Sequence, residues 1–136
     1  MAPSKLIHGT DFHLFKEGVE PKWEDPKCAR GGKWTFMAPK TSNRGTLDTY
    51  WLNTLLALIG EQFPDPGEIC GAVVNVRQKG DRISIWTRTG SNEAAQLAIG
   101  KTMKATLDLT DTTRLGYMLH DDAIKLDRKA KDRYTC

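Results

Sequence analysis

Two runs of aliphatic and β-branched residues, separated by a short turn, constrain the fold more than any other feature of the sequence. They extend over residues 69–78 and 82–87, and Lys79, Gly80 and Asp81 join them. A glycine between polar residues that separates two such runs is typical of a β-hairpin. The sequence therefore predicts an antiparallel sheet that contains this hairpin.

The rest of the chain adds helices and further strands. Residues 46–59 carry leucines and a tryptophan at helical spacing, with Thr46 in the N-cap position and Gly60 able to end the helix. Residues 92–107 predict a second helix, capped by Ser91. Shorter segments predict strands at 12–16, 33–37, 114–120 and 133–135, and a helix at 122–127. Helices interspersed among hairpin-linked strands predict an α+β fold, in which an antiparallel sheet carries helices on one face.

The length of 136 residues is that of one domain with a single hydrophobic core. We expect residues 1–10 to form a loop and residues 11–136 to form the sheet and its helices. No apolar segment follows the N-terminal residues as it does in a signal peptide. The longest aliphatic run, residues 55–59, is too short to cross a bilayer. These features predict a soluble intracellular protein with no membrane partner.

The sequence contains none of the common catalytic or metal-binding patterns. It has no nucleophile elbow, no P-loop and no dinucleotide fingerprint. The three cysteines (Cys28, Cys70 and Cys136) and the three histidines do not fall at zinc-ligand spacing. We therefore expect no catalytic residue, no metal and no cofactor, and a protein that is not an enzyme.

Basic residues are concentrated in two segments, although the net charge is only +3. The first segment surrounds the predicted hairpin, where Asp81 is the only acid opposed to Arg77, Lys79, Arg82 and Arg88. The second lies within residues 125–133. Such clusters indicate a local anion site, and the alternative is a pair of solvated charged faces.

Trp23 and Glu24 stand in a polar stretch bounded by prolines, where a tryptophan has no apolar neighbour in sequence. An exposed indole is a stacking surface for a nucleobase, and a cationic base would add a cation–π attraction. The Glu24 carboxylate can accept hydrogen bonds from the N1–H and the amine of guanine. Arg77 and Arg82 could then bind phosphates. The alternative is a Trp23 packed on the rim of the domain beside a solvated Glu24.

Three stretches carry a resemblance to a known family. They are Phe-His-Leu-Phe-Lys-Glu-Gly-Val-Glu-Pro-Lys-Trp-Glu-Asp-Pro at 12–26, Gly-Gly-Lys-Trp at 31–34 and Cys-Gly-Ala-Val-Val-Asn-Val-Arg at 70–77. Together with residues 51–63, 81–87 and 120–123, they resemble the initiation factor 4E family, which binds the mRNA cap. The similarity covers nearly the whole chain. The amino-acid sequence itself resembles the plant and green-algal branch of the family.

The resemblance implies a curved antiparallel sheet with helices on its convex face and a 7-methylguanosine cap on its concave side. Trp23 would be one of two tryptophans that sandwich the methylated base, and Glu24 would read the guanine edge. Trp86 would lie near the methyl group of the base. The residues that the resemblance implies for the triphosphate are Arg77 and Arg82, with Lys33 as a further basic contact.

The resemblance also implies protein partners. Leu52, Asn53 and Leu56 match the helix face that receives the scaffold initiation factor 4G, and an acid is common in the family where Asn53 stands. Plant relatives are recruited by viral genome-linked proteins. They also carry cysteines that match Cys28 and Cys70 and can form a disulfide, although the cytosol favours the reduced state. The implied location is the cytoplasm, with the nucleus as a second location.

The chain departs from the family pattern at its N-terminus. Family members carry two strands, a loop with the other cap-stacking tryptophan and a helix before the segment that matches Pro3. We therefore expect an N-terminally truncated form that lacks the first two strands and the first helix. Two functions follow. One is a translation initiation factor that binds capped mRNA and links it to factor 4G. The other is a truncated form with weak or no cap binding that acts as a competitor, a regulatory interaction module or a virus-tolerance isoform.

Overall fold

The computed structural model describes residues 4–5, 11–19, 25–38, 45–77, 80–126 and 131–136. Its strands are β1 (Ser4–Lys5), β2 (Asp11–Phe15), β3 (Gly32–Ala38), β4 (Ile69–Asn75), β5 (Asp81–Thr87), β6 (Gly116–Leu119) and β7 (Tyr134–Thr135). Its helices are α1 (Gly45–Ile59), α2 (Glu93–Thr106) and α3 (His120–Leu126), and a 3-10 turn at Pro66–Glu68 precedes β4. Trp23, Glu24 and residues 78–79 of the predicted turn lie outside the described residues.

The strands form one curved, antiparallel sheet in the order β1-β2-β4-β5-β3-β6-β7. The predicted hairpin strands lie at its centre, where β4 pairs with β5 up to Asn75 opposite Arg82. On its other side β5 pairs with β3, from Gly32 opposite Thr87 to Ala38 opposite Asp81. The prediction of an antiparallel α+β fold is therefore confirmed.

The loop predicted for residues 1–10 is wrong at Ser4–Lys5, which pair with β2 as the edge strand β1. A strand of two residues is defined by its backbone pairing with a neighbour. It is too short to show the alternation of apolar and polar side chains that marks a strand in the sequence.

Two predicted helix caps are also wrong. α1 begins at Gly45, so Thr46 lies inside its first turn. α2 is capped by Asn92 and not by Ser91, because the Asn92 side chain accepts a hydrogen bond from the Ala95 N–H at 3.2 Å. Serine and asparagine are both favourable N-cap residues. Because they follow one another here, the sequence alone does not decide which of the two caps the helix.

The main hydrophobic core lies between the sheet and helices α1 and α2. Every second side chain of β3 enters this core, because side chains alternate between the two faces of a strand. The α2 stripe of Ala95, Ile99, Met103 and Leu107 is buried, as its spacing predicts. The largest fully buried side chains of this core are Trp34, Tyr117, Leu14, Ile83, Ile85, Ile99, Met103 and Leu115.

α1 covers the convex side of the sheet and has 15 residues. Leu47, Trp51 and Leu55 pack against the main core at partial exposure, and Ala57 and Leu58 are buried in it. No helix in the described part of the chain is long and apolar enough to span a bilayer.

The packing of α2 against β3 can be tested at Gly100. A Cβ at this position would come within 2.7 Å of the buried Trp34 ring. In an exposed helix a change from glycine to alanine stabilises by up to about 1 kcal/mol. Here we expect Gly100→Ala to lower the unfolding free energy by about 1–3 kcal/mol, because the core must shift to accept the methyl group. Urea unfolding followed by circular dichroism measures this change.

Gly67→Ala is the control, because nothing lies within 4 Å of a Cβ built at Gly67. Its stability should stay close to that of the parent chain. A Gly100→Ala variant as stable as the Gly67→Ala variant would contradict the close contact between α2 and Trp34.

Candidate functional site

A second apolar cluster lies on the concave face of the sheet, opposite α1 and α2. Its buried members are Phe15, Cys28, Cys70 and Val73, and Val19 and Trp86 pack against it. The Phe15 ring meets the Trp86 ring edge-on, with centroids 5.3 Å apart. On the other side the His120 ring lies 4.4 Å from Trp86. Trp86 is therefore held between two rings while part of its surface stays exposed.

The loop before β3 is anchored on this face. The Cys28 N–H donates to the Asp25 carbonyl and the Lys27 N–H to the Asp25 carboxylate, both at 2.8 Å. Cys28 is fully buried beneath this turn. Trp23 and Glu24 immediately precede Asp25 and lie outside the described residues. Their roles in base recognition therefore stay a prediction from the sequence.

Lys33 and Arg82 share the concave face with Trp86. Each alternates along its strand with residues of the main core, and Lys33 is paired directly with Trp86. Burial lowers the pKa of Lys33, and the nearby charge of Arg82 lowers it further. Arg82 is exposed and makes no ion pair with another described residue. Both effects oppose the charged form of Lys33, and an anion bound beside Lys33 would offset them by favouring that form.

Arg77 lies just beyond the end of β4, which pairs with the strand that carries Arg82. It forms an ion pair with Asp11. Its guanidinium donates to both Asp11 carboxylate oxygens, at 2.5 and 3.1 Å. The Arg77 backbone N–H also donates to the Asp81 carboxylate at 3.2 Å. The pKa of Arg77 is raised, mainly because of the hydrogen bonds to Asp11. The structure thus brings Arg77 to the same end of the sheet as Arg82, with its orientation fixed.

Asp11 is a residue that the sequence analysis missed. Its side chain is only 4% exposed, whereas that of Arg77 is 47% exposed. The sequence contains one signal for it, because Asp11, His13 and Phe15 alternate with Phe12 and Leu14. An acid in such an alternation is expected on one face of a strand, where it needs a cation as a partner. The sequence does not reveal that this partner is Arg77.

His120, the first residue of α3, also belongs to the site and was missed. It is 5% exposed, and its backbone N–H donates to the Gly31 carbonyl at 3.0 Å. Burial lowers its pKa to about 4, with the Lys33 charge as the second cause. The imidazole that packs on Trp86 is therefore neutral near pH 7, and its Nε2 atom has no hydrogen-bond partner among the described residues.

Cys28 and Cys70 are brought together by the anchored loop. Both are buried and both are free thiols in this structure, and the Cys70 thiol donates to the carbonyl of Lys27, the residue before Cys28, at 3.6 Å. Burial, followed by the proximity of Cys28, raises the pKa of Cys70 to about 12. A thiol with so high a pKa is a poor nucleophile near pH 7. The proximity is compatible with a disulfide, which stays a prediction from the sequence.

The outward side of α1 forms a separate apolar surface on the convex side. Leu52, Leu56 and Ile59 are 54%, 59% and 62% exposed. The first two are the residues that the sequence predicted for a protein partner, and Asn53 lies beside them at partial exposure. Their spacing of three and four residues makes them one stripe along the helix. In the described part of the chain no group of three or more His, Cys, Asp or Glu side chains could hold a metal ion.

Comparison with known families and proteins gives a consistent result. The family model described as eukaryotic initiation factor 4E matches residues 1–135. Over 133 residues the chain is 59% identical to eukaryotic translation initiation factor 4E-1 of Oryza sativa subsp. japonica. The matched residues make up 98% of this chain and 56% of the relative. The chain is 61% identical to the Glycine max protein of the same name, covering 98% of this chain and 54% of the relative. The chain thus spans about half the length of the curated relatives it matches.

Solved structures agree with this similarity. Ascaris suum eIF4E-3 in complex with m7G cap superposes with a TM-score of 0.83 and 42% identity, covering 97% of this chain and 73% of that chain. C. elegans eIF4E-3 in complex with the 4E-binding protein Mextli has a TM-score of 0.84 and 42% identity, covering 93% of this chain and 69% of that chain.

The neutral state of buried His120 predicts a pH dependence of stability. The unfolded chain takes up a proton at His120 below about pH 6.5, whereas the folded chain resists protonation until about pH 4. The contribution of His120 is therefore complete above pH 6.5 and is lost as the pH falls toward 4, by on the order of 3 kcal/mol. Urea unfolding across this range measures the loss.

His120→Gln is the comparison, because glutamine does not titrate and the carboxylates contribute equally to both proteins. The difference in unfolding free energy between the parent and this variant should shrink as the pH falls from 6.5 to 4. A difference that stays constant across this range would show that His120 is not held neutral.

Proposed function

The chain belongs to the eukaryotic initiation factor 4E family, and from this premise we propose that it binds the 7-methylguanosine cap of mRNA on the concave face of its sheet. The proposal rests above all on one observation. Trp86, a tryptophan held between two rings, shares one face of the sheet with two cations that no described acid neutralises: Lys33, which is paired with it, and Arg82, four residues earlier on β5. The solved structure of Ascaris suum eIF4E-3, which has the same fold, shows that protein in complex with m7G cap.

In this proposal the base is recognised by its charge and its edge. Methylation at N7 makes guanine cationic, so an aromatic ring gains a cation–π attraction in addition to stacking. Trp23 supplies that ring, and Glu24 accepts hydrogen bonds from the guanine N1–H and amine. Trp86 bounds the pocket near the methyl group. Its two ring neighbours restrict its movement, so the Trp86 side chain loses little conformational entropy when the cap binds.

The triphosphate is recognised by cations that differ in character. Lys33 and Arg82 supply charge that is not compensated within the described chain, so they attract the phosphates. Arg77 is compensated by Asp11 and supplies oriented N–H donors instead. Asp11 is thus a positioning residue, which holds Arg77 where a phosphate oxygen can meet its remaining donors.

A second part of the proposal concerns the outer surface of α1. Leu52, Asn53 and Leu56 form a docking site for a helical segment of the scaffold factor 4G or of another 4E-binding protein. The exposed apolar stripe supports this, since an amphipathic helix lays its apolar face against such a surface. C. elegans eIF4E-3, a structural neighbour, is a complex with a 4E-binding protein. Binding of a viral genome-linked protein and a cytoplasmic location are further proposals from the resemblance.

The cap-binding proposal predicts a preference for the methylated nucleotide. We expect 7-methyl-GTP to bind more tightly than GTP in a tryptophan fluorescence titration, because only the methylated base is cationic. Arg82→Gln should weaken 7-methyl-GTP binding roughly ten- to a hundredfold, the range for a hydrogen bond to a charged group. It should leave 7-methylguanosine, which has no phosphate, unaffected. Lys101→Gln, an exposed charge on α2, is the control.

Equal affinities for 7-methyl-GTP and GTP would refute the proposed base recognition. Equal losses for the nucleotide and the nucleoside in Arg82→Gln would mean that Arg82 supports the fold and not the phosphates. If a 4G peptide binds while no cap binding is found, the alternative of a competitor or regulatory interaction module is favoured.

The docking surface on α1 predicts a separable loss of partner binding. Leu56→Ala should weaken a 4G-derived helical peptide about thirtyfold, the effect of truncating an interface residue worth 2 kcal/mol. It should leave 7-methyl-GTP binding unchanged, because Leu56 lies on the opposite side of the sheet. Thr49→Ala, an exposed position near the start of the same helix, is the control. Fluorescence anisotropy of a labelled peptide measures both. If the two variants bind alike, the peptide does not use this stripe.

A further inference from the structure

Met37 is an exposed apolar side chain that the proposed site does not use. It is 54% exposed, whereas its neighbours Phe36 and Ala38 are buried in the main core. Strand alternation therefore places Met37 on the concave face. The other large hydrophobic side chains exposed in the described part of the chain lie on the outer side of α1 or, for Phe12, on the core-facing side of β2.

Met37 stands at the end of a row of cross-strand pairs on the concave face. The pairs between β3 and β5 are Lys33 with Trp86, Thr35 with Ser84, and Met37 with Arg82. The hydroxyls of the middle pair are joined by a hydrogen bond of 3.1 Å, which fixes the two strands here. At about 3.4 Å per residue, the last pair lies about 14 Å from the first. The row thus begins at the ring of Trp86 and ends at an exposed apolar side chain beside a cation.

We propose that Met37 contacts the first transcribed nucleoside of a capped RNA, the one attached to the far end of the cap triphosphate. This inference rests on the proposed function. When the methylated base lies near Trp86, Lys33 and Arg82 attract the triphosphate along the row. The nucleoside that follows the last phosphate then leaves the site past Arg82. Met37, paired with Arg82, is the side chain it meets there.

A methionine suits a position where the base differs from one mRNA to the next. Its thioether is polarisable and its side chain is flexible, so it adapts to the face of any aromatic ring. It also offers no hydrogen bond that would select one base edge. We therefore expect a gain in affinity of roughly two- to tenfold, whatever the base, from the contact between Met37 and the ring.

The test compares two ligands on the complete chain by isothermal titration calorimetry. One is 7-methyl-GTP, which ends at the triphosphate, and the other is the cap dinucleotide 7-methylguanosine triphosphate-adenosine. Met37→Thr should weaken the dinucleotide two- to tenfold and leave 7-methyl-GTP unchanged. Threonine keeps a strand-compatible residue at an exposed position, so the fold is retained. Met37→Leu should retain most of the dinucleotide affinity, because leucine restores the apolar contact.

Phe12→Thr is the matched control, since it replaces a partly exposed strand residue on the other face of the sheet. It should change the affinity ratio of the two ligands by less than a factor of two. Loss of both ligands to the same degree in Met37→Thr, or of neither, would overturn the inference. The methyl preference of the parent chain tests the proposed function separately. If that preference is absent, both proposals fail, and if it is present while Met37→Thr changes nothing, only this inference fails.

Discussion

The alternation of side chains along the paired strands β3 and β5 is the constraint on which the rest of the structure depends. Trp34 and Phe36 must enter the main core, so Lys33, Thr35 and Met37 must face the other way. A shift of one residue in this register would bury a lysine in the core and expose a tryptophan. Domains are stable by only about 5–15 kcal/mol, so such a shift would not be tolerated. Packing on one face thereby positions the charges on the other.

The concave face combines rigidity with charge that is left uncompensated. Trp86 is held by Phe15 and His120, and Arg77 is held by Asp11, so these groups lie in place before any ligand arrives. Lys33 and Arg82 instead face the same side of the sheet with no opposing ion pair among the described residues, and the charge of Arg82 lowers the Lys33 pKa. The fold gains no electrostatic stabilisation from placing two cations on the same face. A triphosphate that extended along the strands would give both cations an opposite charge, so the proposed phosphate-binding role explains the arrangement better than a solvated surface does.

Strong local patterns in the sequence were sufficient for most of the fold. The hairpin of β4 and β5 and the apolar stripe of α2 were correctly predicted, since period-two and helical spacing are properties of neighbouring residues. The ion pair of Asp11 with Arg77 joins residues 66 positions apart, and no local pattern contains such a contact. The position of His120 against Trp86 likewise depends on how α3 begins beside the sheet. Specific roles for Trp23 and Glu24 came from the family resemblance, since residue type alone left their burial open.

The most direct test of a cap site on the concave face is an NMR titration of the isotope-labelled chain with 7-methyl-GTP. The account predicts that the indole N–H of Trp86 and the side-chain N–H groups of Arg82 and Arg77 shift on addition of the nucleotide, while the methyl groups of Leu52 and Leu56 on α1 do not. Shifts confined to α1, or none at the tryptophan and the two arginines at a saturating concentration, would contradict it.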